Sequence, residues 1–134
     1  MAQQSVLQLR VVVTTDDFEN ALRFYRDFLG MSELSAVAAP GARVAILEAG
    51  RATLELADSR TAEFIDDVEV GRRVAGPIRI ALEVEDIEEI TRRLSLAGAK
   101  VLGEPRRTPF HSMNARLEAA AGLQLTLFQR LPES

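Results

Sequence analysis

The chain has 134 residues, 47% hydrophobic and 27% charged, with a formal net charge of −4, one histidine and no cysteine. That balance describes one ordinary globular domain without a basic footprint for nucleic acid or an anionic membrane surface. It excludes disulfides, thiolate metal sites and a thiol nucleophile, and His111 alone cannot build a site that takes two imidazoles from one chain.

The opening "MAQQSVLQLR" lacks the charged start and apolar run of a signal peptide. Nowhere does the chain approach the roughly eighteen apolar residues of a membrane span, so a cytoplasmic protein is expected. Residues 8–14 (QLRVVVT) alternate as a strand, with Leu9, Val11 and Val13 on one face and Arg10 and Val12 on the other. Asp17 is placed to cap a helix whose Ala21, Leu22, Phe24, Tyr25, Phe28 and Leu29 form an apolar stripe, and Gly30 stops it. The aromatic residues of the stripe read as core, with the Tyr25 hydroxyl at its edge. Strands are predicted near 31–37, 42–48 and 51–57, broken at Pro40-Gly41 and Ala49-Gly50. Residues 58–76 (DSRTAEFIDDVEVGRRVAG) hold no sustained period and read as a solvated connector. Its Asp66, Asp67 and Glu69 lack the glycine and terminal glutamate of a calcium loop. Gly71-Arg72-Arg73 has no glycine-rich phosphate loop around it.

The pattern then restarts. "PIRIALEVEDIEEI" is strand then helix, with Asp86 and Glu89 spaced as a capping box and Gly98 as the stop. Strands near 99–103, 111–118 and 122–129 follow, with "GEPRRTPFH" as a loop between the first two. Arg10 and Asp17 recur as Arg79 and Asp86 at an offset of 69, and Thr53–Leu56 recurs as Gln124–Leu127 at an offset of 71. The chain therefore repeats one strand–helix–three-strand unit: module 1 over about 8–57, the connector over 58–76, and module 2 over about 77–129. The fold class expected is α+β, two tandem βαβββ modules whose curved mixed sheets enclose a shared cavity within a single domain, 1–134.

This doubled unit, with "DDFENALRFYRDFLGM" in its first helix, resembles the vicinal oxygen chelate superfamily. That group includes glyoxalase I, extradiol dioxygenases and bleomycin-resistance proteins. The resemblance covers nearly the whole chain, from about Leu9 to Phe128, and labels a fold rather than a reaction. In the superfamily's enzymes one divalent metal sits on the open face, held from the first and last strands of each module. Carried over by position, those sites are Arg10, Glu55, Arg79 and Thr126. Arginine offers no lone pair and keeps its charge, and threonine is a weak neutral ligand. Only Glu55 remains, so no metal and no cofactor is expected.

Arg10, Arg79 and Glu55 are instead candidates to orient an anionic or phenolic ligand, with a structural Arg10–Glu55 salt bridge as the plainer alternative. The resemblance to bleomycin-resistance proteins makes Phe110 and His111 candidate walls of a drug groove; His111 is equally a half-exposed residue at a strand start. Val12, Thr53, Ala81 and Thr126 form an expected lining of small side chains. Gln124 and Phe128 share the Thr126 face, although Phe128 alternatively closes the end of the sheet. Met113 is a soft cavity wall or a gap filler. No catalytic residue is assigned, because one carboxylate between two arginines is held ionised and makes a poor general base.

The resemblance implies a homodimeric binding protein. Its expected partner is a bulky hydrophobic or aromatic natural product, sequestered without chemistry as in antibiotic resistance by drug capture. Glycopeptide, quinone-containing and enediyne antibiotics are examples. The rival is an enzyme of the same fold, cofactor-free or with a displaced metal, in which Glu55 or His111 acts on a polyketide-type substrate.

Overall fold

In the computed structural model, residues 5–34, 41 and 43–132 are described. The β-branched run at Val11–Val13 lies within the strand β1 (Val6–Thr15), whose alternating side chains reach both faces of a sheet. The other strands are β2 (Glu33–Leu34), β3 (Val44–Ala49), β4 (Ala52–Asp58), β5 (Ile78–Val84), β6 (Lys100–Thr108), β7 (Ser112–Glu118) and β8 (Gln124–Arg130). They form one mixed eight-stranded sheet in the order β2-β3-β4-β1-β5-β8-β7-β6. Within each half the first strand lies parallel to the last, β1 beside β4 and β5 beside β8. Antiparallel pairing of β1 with β5 joins the halves, with Arg10 opposite Ala81 and Val12 opposite Arg79. The expected α+β fold of two βαβββ units is the fold adopted.

Strand alternation then sorts the side chains. On the convex face, α1 (Phe18–Leu22) buries Phe18 and Leu22 against Ala45, Leu47 and Leu56. Its partner α3 (Ile87–Leu96) covers the second half, where Ile87 packs with Val84, Ala115, Leu117 and Leu127. Both helices begin on the expected aspartates: Asp17 accepts from the Asn20 N–H and Asp86 from the Glu89 N–H. The concave face carries Arg10, Glu55, Arg79 and Thr126. No helix among the described residues is long and apolar enough to cross a membrane.

Three local expectations are corrected. The first helix leaves α-geometry after Leu22 and continues as a π-helical turn over Arg23–Phe28, where the Leu29 N–H donates to the Phe24 carbonyl five residues back. The wider turn rotates the stripe off the core, leaving Phe24 55% and Phe28 78% exposed, while Tyr25 still packs on the core cluster.

Residues 58–76, read as a solvated connector, contain the helix α2 (Ser59–Glu69), capped by Asp58 and laid on the concave face. Most of the "GEPRRTPFH" loop is strand, β6 reaching Thr108 through two register irregularities. Of the strand placed at 31–37, residues 33–34 are β2; 35–37 lie outside the described residues, as do Pro40 and residue 42.

Candidate ligand-binding site

The four central strands deliver Arg10, Glu55, Arg79 and Thr126 to one trough, which encloses a cavity of about 620 Å³. Two antiparallel strands place Arg10 and Arg79 near its centre, one from each repeat. Arg10 and Glu55 form an ion pair at 3.7 Å, with 14% and 12% of their side chains exposed. Arg10 also donates to the Gln8 side chain at 2.8 Å and lies 4.6 Å above the ring centroid of Phe128. Arg79 is 6% exposed, lines the cavity, and has no hydrogen-bond or ion-pair partner for its side chain among the described residues. Burial lowers the pKa of both guanidinium groups from the ordinary value, opposed chiefly by Glu55 at Arg10 and by Glu69 at Arg79.

Beneath α2 lies a second polar assembly that periodicity did not reveal. Arg116 of β7, fully buried, donates from Nη1 to Asp66 Oδ1 at 2.8 Å and from Nε to Glu69 Oε1 at 2.9 Å. Glu69 also accepts from Asn114 Nδ2 at 2.7 Å and from the Thr126 hydroxyl at 3.0 Å. The remaining Asp66 oxygen accepts the backbone N–H groups of Val74 and Ala75, which ties down the chain after the helix. Gln124 completes the arrangement, accepting from Arg116 and donating to the Val74 carbonyl. These bonds fix α2 in place, and its Ile65 supplies part of the cavity wall.

The expected site residues divide between the cavity and its supports. Arg10, Glu55, Arg79, Ala81 and Thr126 line it on the central strands, joined by Phe128. Phe110 and His111 line it from the β6–β7 turn, where His111 is exposed with a φ of 58° and Phe110 meets Phe64 of α2 edge to face. Val12 sits behind the lining, packed with Ala81 and Phe128. Thr53 is buried with no hydrogen-bond partner for its hydroxyl, and Gln124 serves the Arg116 assembly.

Met113 is corrected: it packs with the convex-side core around α3, because the parity of β7 puts it with Ala115 and Leu117. Sequence reasoning missed Glu69, Ser112 and Asn114, together with Val44 and Ile46. The last two carried a signal, since they alternate with the buried Ala45 and Leu47.

The four positions do not fit a divalent cation. Two are cations without lone pairs, the carboxylate faces Arg10, and the Thr126 hydroxyl already bonds Glu69. No group of three or more His, Asp or Glu among the described residues is arranged to hold a metal ion. The arrangement can instead offer guanidinium donors to an acceptor, set among the apolar walls of Val44, Ile46, Phe110 and Phe128.

Comparison with solved structures extends this fold across nearly the whole chain. A hypothetical protein from Bacillus halodurans C-125 is 23% identical, with 98% of this chain and 99% of that chain covered at a TM-score of 0.73. Methylmalonyl-CoA epimerase from Mycobacterium tuberculosis is 25% identical over 98% of this chain and 93% of its own, with a TM-score of 0.71. The Streptomyces coelicolor methylmalonyl-CoA epimerase, in complex with 2-nitronate-propionyl-CoA, is 21% identical over 96% and 100% of the two chains at 0.69. No curated protein matches the chain. Residues 8–126 match the model of the Glyoxalase/Bleomycin resistance protein/Dioxygenase superfamily, and the chain belongs to that family.

Proposed function

We propose that this chain is a metal-independent small-molecule binding protein that sequesters a bulky, mainly apolar guest, with an aromatic natural product of the antibiotic type as the expected class. The observation that carries the reading is the chemistry at the four central positions: Arg10 and Glu55 neutralise each other, Thr126 is held by Glu69, and Arg79 faces the cavity. The Glu55 carboxylate is committed to the Arg10 guanidinium, which leaves no unpaired carboxylate at the four positions. Apolar walls from Val44, Ile46, Phe110 and Phe128 suit burial of a hydrocarbon surface. A cytoplasmic homodimer completes the proposal. Leu7, Leu9 and Ile78, which are 48%, 41% and 58% exposed on the convex face of β1 and β5, offer apolar surface for a second copy.

Native mass spectrometry of the freshly purified protein tests this reading. A metal-free dimer carrying an organic adduct supports it. A stoichiometric transition metal overturns it and returns the question to lyase or dioxygenase chemistry.

The second reading, an enzyme of the same fold using Glu55 or His111, is favoured by the likeness to methylmalonyl-CoA epimerases. Turnover of the co-purified molecule, abolished by Glu55→Gln or His111→Ala with binding retained, would establish it.

A further inference from the structure

We propose that the guest carries a carboxylate, or an equivalent planar oxyanion, and that Arg79 binds it at the place where the superfamily's enzymes hold a metal ion. The inference rests on the small-molecule binding reading above and adds the chemistry of the guest's head group. Substituting arginine at two metal positions does more than delete a cation site. It reverses the charge that the centre of the trough presents.

Arg79 is nine-tenths buried, lines the cavity and has no hydrogen-bonded acceptor among the described residues. A guanidinium presents its N–H groups in a planar fork, and that of Arg79 borders the cavity rather than being sealed off in the core. The carboxylates nearby are already engaged. Glu55 faces Arg10, Glu69 Oε1 accepts from Arg116 and Thr126, and Glu69 Oε2 accepts from Asn114. Asp66 is shared between Arg116 and two backbone N–H groups. The three other arginines of this face, Arg10, Arg116 and Arg130, each meet a carboxylate within the chain, whereas Arg79 is influenced by Glu69 only at longer range. Among the described residues the Arg79 fork is thus left open to an acceptor that enters the cavity.

A carboxylate matches the planar fork better than a single carbonyl oxygen does, because it accepts two parallel, charge-assisted hydrogen bonds. Beyond the head group, the guest meets Ala81, Phe128 and the walls of β3. The assigned class is thus an aromatic or polycyclic acid rather than a neutral hydrocarbon or a cation.

Three matched probe pairs test this by isothermal titration calorimetry: benzoate, 2-naphthoate and 4-biphenylcarboxylate, each against its neutral carboxamide. The wild-type protein is expected to bind the larger acids at least ten-fold more tightly than their amides. Arg79→Gln is expected to erase that preference by weakening the acid far more than the amide, and Arg79→Lys to retain part of it. Equal affinity of acid and amide in the wild-type protein, or an acid preference that survives in Arg79→Gln, would overturn the head-group assignment and leave the binding reading standing. Absence of binding by every probe would remove both. The wild-type comparison decides the matter even if neither variant folds.

Discussion

Arg116 of β7 and Asp66 of α2 stand 50 residues apart in the chain and 2.8 Å apart in the fold. With Glu69 as its second carboxylate, Arg116 converts a charged helix face into a buried interface. Replacing it with methionine leaves two buried carboxylates without their cation, a loss of about 3–5 kcal/mol. Urea denaturation of Arg116→Met measures that loss directly. A change within about 0.5 kcal/mol, the range of ordinary surface substitutions, would show that α2 is held without the Arg116 ion pairs.

Gly103 of β6 lies directly under the end of the same helix. A Cβ there would fall 1.9 Å from the Glu69 carbonyl oxygen, whereas one at Gly76 would meet nothing within 4 Å. Gly103→Ala forces backbone apart and is expected to cost about 1–3 kcal/mol, the range for overpacking, with Gly76→Ala near neutral. Thermal unfolding of the two variants side by side provides the comparison, and equal midpoints would contradict the close approach.

Phe110 contacts the cavity at one edge and Phe64 of α2 at another, with ring centroids 6.2 Å apart. Phe110→Ala removes aromatic surface from the guest and is expected to weaken binding by about ten-fold, or ~1.4 kcal/mol. Circular dichroism should show the fold retained. Unchanged affinity for 4-biphenylcarboxylate would take the β6–β7 turn out of the site.

Chelation offers a separate check on the donor set. Because Arg10 and Arg79 repel a dication, binding should be the same with and without EDTA. Affinity lost in chelator and restored by zinc or manganese would demand ligands other than the four central residues.

The central pair of arginines was legible because two independent regularities point to it. Strand alternation puts Arg10 beside Val12 and opposite the core-facing valines, and the repeat places Arg79 at the same point 69 residues later. The helix α2 was illegible for a physical reason. Hydrophobic periodicity detects burial of apolar side chains, and two of the four buried residues of α2 are Asp66 and Glu69, whose counter-charge lies in β7. Phe24 and Phe28 misled because a 3.6-residue turn was assumed where a π-helical one occurs. Met113 is different again: the alternation of Met113, Ala115 and Leu117 with Asn114, Arg116 and Glu118 already assigned it to the convex side.

The position of α2 on the sheet also decides how a guest can lie. The strands repeat, yet α2 is single: it leaves the end of β4, packs against β1 and β4, and is bonded at its far end to β7 and β8, while Val44 and Ile46 of β3 line the first half. A duplicated scaffold thereby becomes an asymmetric chamber, with the Arg116 assembly on one side only. A guest with chemically different ends meets different surroundings in its two orientations, so the two halves of the trough are not interchangeable.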